Sequence, residues 1–376
     1  MKNKKLSKKQ AFLSIFGDEK KQGVTIPLFA IFISLFVCAV IILLLGNNPL
    51  AAYLNLLQGS GFCPKPSYPG HKNMLTDLSG FMNAWTPMLF ASLSFAVAFK
   101  TGIFNIGISG QMLIAGFLTS ITIGYSELNA FLAKPLVIVC GIVIGAIAGG
   151  LIGWLKFKFN INEVVSAIMI NYVFQYVISF FINSFFVNPV SRQSNPVSDA
   201  ARLTLMNTEV GSIKMDIPLG IILAVLSAFL VKFILDRTVI GYELKAVGTS
   251  RTAAQYAGIN IGRNMIMSMV FSGALAGLAG VTYYLGYYSS IQPNLLTTIG
   301  FDAIAVALLA NSNPIGIVFS SLLITIISKG STYMSSSTGL EAEISSVITG
   351  IILLFSACVA YFRYKINKAK EEGGNK

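Results

Sequence analysis

The chain is short of charge. Only 11% of its 376 residues are Asp, Glu, Lys or Arg, where a soluble domain usually carries about 25%. With 54% hydrophobic residues and a mean hydropathy of +0.72, that shortage points to an integral membrane protein. Histidine is nearly missing. His71 alone cannot build a multi-histidine metal site, and in its polar loop it reads as a solvated surface residue. Cysteine is scarce and scattered: Cys38, Cys140 and Cys358 lie in apolar runs and Cys63 stands in a polar loop. No CxxC occurs, so neither a disulfide framework nor a zinc site is supported. HExxH and paired acids on one span are also lacking, which argues against a membrane enzyme. Nor is there a basic cluster inside the apolar runs to hold an anionic solute. No cofactor and no metal are expected.

What the chain has is long apolar runs. Lys2, Lys4, Lys5, Lys8, Lys9, Lys20 and Lys21 make residues 1–25 a basic tail. Together with the run behind it, the tail is reminiscent of a signal peptide. But Ile26–Gly46 is long enough to span, at about 20 residues, and Asn47-Asn48-Pro49 replaces a small-residue cleavage site, so an uncleaved first helix is expected. Further spans are expected near Asn83–Phe99 (kinked or started by Pro87), through 99–123, and at Pro135–Leu155, Val164–Val187, Ile217–Leu235, Asn264–Leu285, Ile299–Ala310, Pro314–Ser328 and Ile344–Phe362. The fold class is thus all-α integral membrane with about ten transmembrane helices. A single transmembrane domain, 26–362, lies between the basic N-tail and a basic C-tail, 363–376. Residues 47–82, 188–216 and 329–343 read as polar connections, the first with a short amphipathic piece at Leu50–Gln58.

Ten crossings with both termini inside leave only Lys65, Lys72, Lys134, Arg192, Arg202, Lys214 and Lys329 outside, of 27 basic residues. That bias fits the positive-inside rule. It also accounts for the net charge of +12 through anionic headgroups, with no nucleic acid required.

Several spans carry polar groups, which are costly in hydrocarbon unless protein or water satisfies them. Phe99–Phe117 holds Asn105, Ser109 and Gln111 among glycines at 102, 107, 110 and 116. Its Gly102–Gly107 spacing is half of a phosphate loop, but Ile108 stands where the lysine is needed. Asn171 and Gln175 share one face of their helix, as pathway lining or as interhelical bonds. Asn160 and Glu163 have the spacing of a capping box, so Glu163 reads as a cap. Asp302, in the first turn of a short helix, suits either a dipole-stabilised cap or the pathway. Gly141, Gly145, Gly149 and Gly153 recur every fourth position, and Gly273, Gly277 and Gly280 form a second packing seam.

Residues 236–263 form the longest connection on the expected cytoplasmic side. Within it, Thr249 or Ser250 caps a short helix, Arg251–Ala257, and Gly258 stops it. Ala253, Ala254 and Ala257 would give that helix a small, flat surface. Such a short helix is unstable alone in water, so it must pack on something. The run Gly-Tyr-x-Leu-Lys-Ala-Val-Gly-x-Ser-x-x-Ala-Ala-x-Tyr-Ala-Gly-Ile from Gly241 resembles the coupling loop of ABC importer permeases, in the branch serving nucleosides, simple sugars and branched-chain amino acids. Gly-Ile-Phe-Asn-Ile-Gly-Ile-Ser-Gly-Gln-Met from Gly102 is similar to that branch's third-helix motif, although Ser109 stands where an acid is common. The segments Asn162-Glu-Val-Val-Ser-x-Ile-Met-x-Asn-Tyr and Gly300-Phe-Asp-Ala-Ile-Ala-Val-Ala-Leu-Leu-Ala-Asn match further motifs, so the resemblance covers most of 80–330.

The resemblance implies a permease subunit of an ATP-driven importer in a bacterial plasma membrane, most like nucleoside permeases. It implies two pseudo-repeated halves with inverted topology. The implied partners are a cytoplasmic ABC ATPase, a second related permease or a copy of this chain, an extracytoplasmic solute-binding protein or lipoprotein, and membrane lipids. ATP hydrolysis would belong to the ATPase. Gly248, Arg251, Ala253, Ala254, Tyr256 and Gly258 would couple to that ATPase. Asn105, Gln111, Asn171, Gln175, Asp302 and Asn311 would line the solute path, their amides supplying donors and acceptors. A sugar or flavin is the alternative solute. A secondary transporter is the alternative class, but it would want acids inside the spans, and Asp302 is nearly the only candidate.

Overall fold

The computed structural model describes residues 19–68, 70, 72–210, 213–341, 343–358, 361, 364 and 365. His71, the tail before residue 19 and most of the basic C-tail lie outside them. Among the described residues are thirteen helices and one hairpin. The helices are α1 Glu19–Leu44, α2 Pro49–Gly59, α3 Met74–Lys100, α4 Ile108–Thr119, α5 Ala130–Phe159, α6 Glu163–Phe181, α7 Gly220–Arg237, α8 Val239–Thr249, α9 Arg251–Tyr256, α10 Ile261–Thr282, α11 Ile299–Leu309, α12 Pro314–Thr338 and α13 Ile344–Ala357. Helices α4, α6 and α10 each widen at their C-terminal end into a π-helical turn. Among the described residues, six helices are long and apolar enough to cross a membrane: Thr25–Leu44, Met74–Lys100, Ala130–Phe159, Glu163–Phe186, Ile261–Tyr287 and Pro314–Thr338. Ile108–Gly124, Ile299–Leu309 and Ser346–Ser356 are apolar but shorter.

Helices α3 and α10 form the centre, with every residue from Thr86 to Ala98 buried. A reciprocal serine pair joins them. Ser94 Oγ donates to the Ser272 carbonyl at 2.7 Å and Ser272 Oγ to the Ser94 carbonyl at 2.8 Å. The glycine seams expected on α5 and α10 face each other. A Cβ on Gly145 would sit 2.6 Å from Gly277 Cα, and one on Gly149 2.7 Å from Gly273 Cα. Only glycine lets these backbones approach so closely. Another close approach, Gly59 against Gly330, seats α2 on α12.

Several boundaries differ from the sequence reading. Helix α3 starts at Met74, well before Asn83, and Pro87 lies in its middle. Asn73 and Thr76 form the cap that starts it, Asn73 Oδ1 accepting from the Leu75 and Thr76 amides at 2.8 and 3.1 Å. Residues 329–338 are the end of α12 rather than a loop, so Lys329 is helical. The hydroxyls there bond back into the helix: Ser331 to the Ser328 carbonyl and Thr338 to the Met334 carbonyl, both at 2.7 Å. That removes the cost of carrying serines through an apolar layer.

The polar connection at 188–216 contains an antiparallel hairpin, β1 Thr204–Val210 with β2 Ile213–Pro218, paired Thr204 to Pro218 and Val210 to Ile213. The expected sixth span therefore begins at Gly220, after β2. Asn160 is the left-handed end of α5 (φ 51°), and Asn162 caps α6 by accepting from the Val164 amide at 2.9 Å. Glu163 is no capping-box partner of Asn160; it pairs with Lys156 at 2.9 Å and ties α5 to α6.

Candidate functional site

The chain breaks between α3 and α4. Lys100 ends α3, Gly102 takes φ +72°, and residues 103–106 run without helix until Ile108. The backbone groups freed by the break need partners; the carboxamides of Asn105 and Asn171 supply them, and that of Gln111 holds Asn105 in place. Asn105 Oδ1 accepts from the Gly107 amide at 2.9 Å and from Gln111 Nε2 at 3.3 Å. Asn105 Nδ2 donates to Gln111 Oε1 at 3.2 Å and to Ser272 Oγ at 2.8 Å. Asn171, from α6, accepts from the Gly110 amide and donates to the Ile106 carbonyl, both at 3.0 Å. All three side chains are buried. A side chain on Gly110 would run into Asn171 Oδ1, so glycine there admits the amide.

A second break separates α11 from α12. Asn311 and Ser312 take left-handed φ of 51° and 52°, and Asn313 caps α12. The N-terminal ends of α4 and α11 meet in the bundle interior. Ser109 Oγ donates to the Thr297 carbonyl at 2.8 Å, and a Cβ on Gly300 would collide with Ser109.

The six residues expected on the path are thus divided. Asn105 and Gln111 pair with each other at the first break, and Asn171 bonds the backbone beside them. Gln175 Nε2 donates to the Asn294 carbonyl at 2.8 Å, in the loop before α11. Asn311 is exposed, its carbonyl 3.5 Å from Lys100 Nζ. Asp302 lines a cavity of about 340 Å³ with Ala84, Tyr287, Tyr288, Thr297 and Lys329 among its neighbours. This cavity lies towards the hairpin. Asn83, next to Ala84 in α3, accepts from Thr204 Oγ1 of β1 at 3.0 Å, and the Leu203 amide donates to the Leu285 carbonyl at 3.0 Å.

The tyrosines were not singled out from sequence, although Tyr283-Tyr284-x-x-Tyr287-Tyr288 at the end of an apolar helix was the available signal. Tyr283, Tyr287 and Tyr288 form a ring cluster, with centroids 4.7 Å apart for Tyr287 and Tyr288 and 5.0 Å for Tyr283 and Tyr288. Lys329 Nζ donates to Tyr287 Oη at 2.9 Å.

At the opposite end, α8 and α9 cover the break. Ser250 caps α9 by accepting from the Ala253 amide at 3.3 Å, and Gly258 takes φ +79° just beyond its end. Arg251 Nη2 donates to the Gly102 carbonyl at 3.4 Å. A Cβ on Gly248 would strike the Lys100 carbonyl, so α8 rests directly on the end of α3. Ala254 is buried in a cluster with Ile103, Val247 and Met265. It therefore does not belong to the exposed small-residue face that the sequence suggested. Ala253 is exposed, and Tyr256 is 91% exposed.

Apolar spanning helices, two interrupted segments meeting inside the bundle and a polar cavity beside one of them define a helical membrane transporter. The chain belongs to the family described as branched-chain amino acid transport system / permease component, which matches residues 78–357. It is an ABC transporter permease of that family and a multi-pass membrane protein. Nucleoside ABC transporter permease protein NupB of Lactococcus lactis subsp. cremoris is 33% identical, covering 94% of this chain and 96% of that one. Guanosine ABC transporter permease protein NupP of Bacillus subtilis is 31% identical, over 93% and 97%. A glucose ABC transporter permease protein, TsgB13 of Haloferax volcanii, is 25% identical over 77% and 78%. A solved inward-facing ABC transporter described as metal-chelate type matches with TM-score 0.44 and 14% identity, over 83% of this chain and 96% of that one.

Proposed function

We propose that this chain is the membrane-crossing subunit of an importer for nucleosides, working by alternating access. The observation that carries this reading is the 33% identity to a nucleoside permease over nearly the full length of both chains. In this reading a separate ABC ATPase docks on the exposed face of α9 and hydrolyses ATP. A second permease, related or identical, completes the membrane unit, and an extracytoplasmic solute-binding protein delivers the nucleoside. Both termini and α9 face the cytoplasm, and the hairpin faces outward. Asp302 and Gln175 border the path, while Asn105, Gln111 and Asn171 shape the break beside it. Asn311 lies at its cytoplasmic end. The glucose permease among the relatives keeps a sugar as the competing solute.

The test is uptake of radiolabelled guanosine, adenosine, uridine and glucose into proteoliposomes holding the complete transporter with its binding protein. Nucleoside uptake that requires ATP supports the reading. Uptake of glucose alone replaces the solute, and uptake driven by an ion gradient without the ATPase overturns the importer assignment.

A further inference from the structure

We propose that the 340 Å³ cavity at the hairpin end is a solute site contained within one chain, selective for a neutral solute that combines a planar heterocyclic ring with sugar hydroxyls. The proposal rests on the nucleoside reading and adds where, and by which groups, the solute is held.

The size fits. Small-molecule sites begin at roughly 300 Å³. The wall fits as well. Tyr283, Tyr287 and Tyr288 gather at the end of α10 and line the cavity, and aromatic faces take a heterocycle by stacking whatever its edge pattern. Opposite chemistry comes from the first turn of α11. Asp302 Oδ2 accepts one long bond, from Thr298 Oγ1 at 3.4 Å, and no ion pair to Asp302 occurs among the described residues. A carboxylate has about four acceptor sites, so most of its capacity is free to take donors from a solute. Sugar hydroxyls are such donors. The cation of the cavity is engaged differently. Lys329 Nζ bonds Tyr287 Oη at 2.9 Å and lies 5.0 Å from that ring's centroid. With one acid and one base on its wall, the cavity has no charge excess to draw an anion or a cation.

The carboxamides at the first break cannot take this role in the same state. Asn105 and Gln111 spend both ends of their amides on each other, on Ser272 and on Gly107. The cavity is nonetheless linked to that break, because its wall residue Thr297 accepts from Ser109 at 2.8 Å. A smaller cavity of about 90 Å³, bordered by Gln193, Ser290 and Gln292, adjoins it and shares Tyr283, Tyr288, Leu295 and Thr297.

The test uses the complete transporter in proteoliposomes with 8-azidoadenosine as photolabel. The expected label falls on peptides of this chain containing Tyr283–Tyr288 or Asp302, and excess adenosine suppresses it. Ala84→Trp, which fills the cavity, should cut labelling and adenosine uptake at least about tenfold, and Asp302→Asn should weaken competition by adenosine about tenfold while leaving competition by 2′,3′-dideoxyadenosine nearly unchanged. Gly350→Ala, outside the cavity and with nothing within 4 Å of the added carbon, should behave like the parent. Labelling elsewhere with uptake intact, or unchanged uptake in Ala84→Trp, overturns the site and leaves the nucleoside reading standing. If Ala84→Trp fails to assemble, the Asp302→Asn competition decides, and equal weakening for both nucleosides overturns the assignment. A parent complex that takes up no nucleoside overturns both.

Discussion

Replacing Asn105 with leucine tests whether the carboxamides at the first break hold the backbone or face solute. The shape is nearly kept, but four hydrogen bonds disappear: two to Gln111, one to Ser272 and one from the Gly107 amide. Ser272 keeps its bond to the Ser94 carbonyl. That leaves the Gly107 amide and both ends of the Gln111 amide without the partners they have now. Membrane helix bonds average about 0.6 kcal/mol each, which sets a floor near 2 kcal/mol for four. Buried orphaned groups at about 1–3 kcal/mol each set a higher ceiling, which relaxation and water entry lower. An expected loss of ~2–4 kcal/mol follows. Removing Gln111 as well takes away one of the stranded groups, so Asn105→Leu/Gln111→Leu should cost less than the sum of the singles, with a coupling of about 1–2 kcal/mol. The assay is equilibrium unfolding in mixed micelles for the parent, both singles and the double. Additive singles, with stability unchanged and only transport impaired, would refute the paired network.

Three further outcomes are expected. Gly145→Ala should destabilise by ~1–3 kcal/mol, since its Cβ would press on Gly277 backbone; Gly350→Ala, with nothing within 4 Å of the added carbon, should be neutral or stabilising in the same thermal-shift assay. Tyr256→Ala should leave stability within about 0.5 kcal/mol yet weaken capture of the ATPase in pull-downs, whereas Ala254→Glu should unfold the cluster around Ile103. Cysteines placed at Glu209 and Gln255 should react with a membrane-impermeant maleimide from opposite faces of right-side-out vesicles, Glu209→Cys from outside; labelling of both from one side would overturn the proposed orientation.

Hydropathy and glycine spacing carried most of the fold. Period-four glycines at 141, 145 and 149 announced a seam, and its partner at 273 and 277 was visible in the same pattern, because close backbone approach leaves a direct mark on composition. Helix ends were less legible. Residues 329–338 look like part of a loop by residue type, yet their hydroxyls satisfy themselves on the preceding turn, a fact that depends on rotamers rather than on identity. Hairpin β1–β2 did leave a signal: Ile213, Met215 and Ile217 alternate with Lys214 and Asp216, behind Gly211-Ser212 in sequence. Its last residues, Ile217 and Pro218, run straight into the apolar stretch of α7, which hides the strand end. For the site, residue type marked Phe99–Phe117 by its amides and glycines but could not say what the amides bond to. Asn105, Gln111 and Asn171 come together through tertiary contact over 60 residues of sequence, which no local pattern encodes.

Under the proposed function, the first break offers a physical route from α8 and α9 to the cavity. Arg251 of α9 holds the Gly102 carbonyl, Gly248 lies against the Lys100 carbonyl, and Ala254 shares a buried cluster with Ile103. A displacement of α8 and α9 would therefore bear directly on residues 100–103. Residues 103–106 lack helical bonds to absorb the movement, and the carboxamide network passes it to the start of α4. Ser109, bonded to the Thr297 carbonyl, would then carry it to the cavity wall. Each contact is a packed or hydrogen-bonded step, and coupling along it is an energy that a double-mutant cycle reads. The energetic test is a cycle between Arg251→Ala and Ser109→Ala read by uptake per ATP hydrolysed. Residues in separate mechanisms would add, whereas members of one route should show an interaction of about 0.5–2 kcal/mol in the ratio.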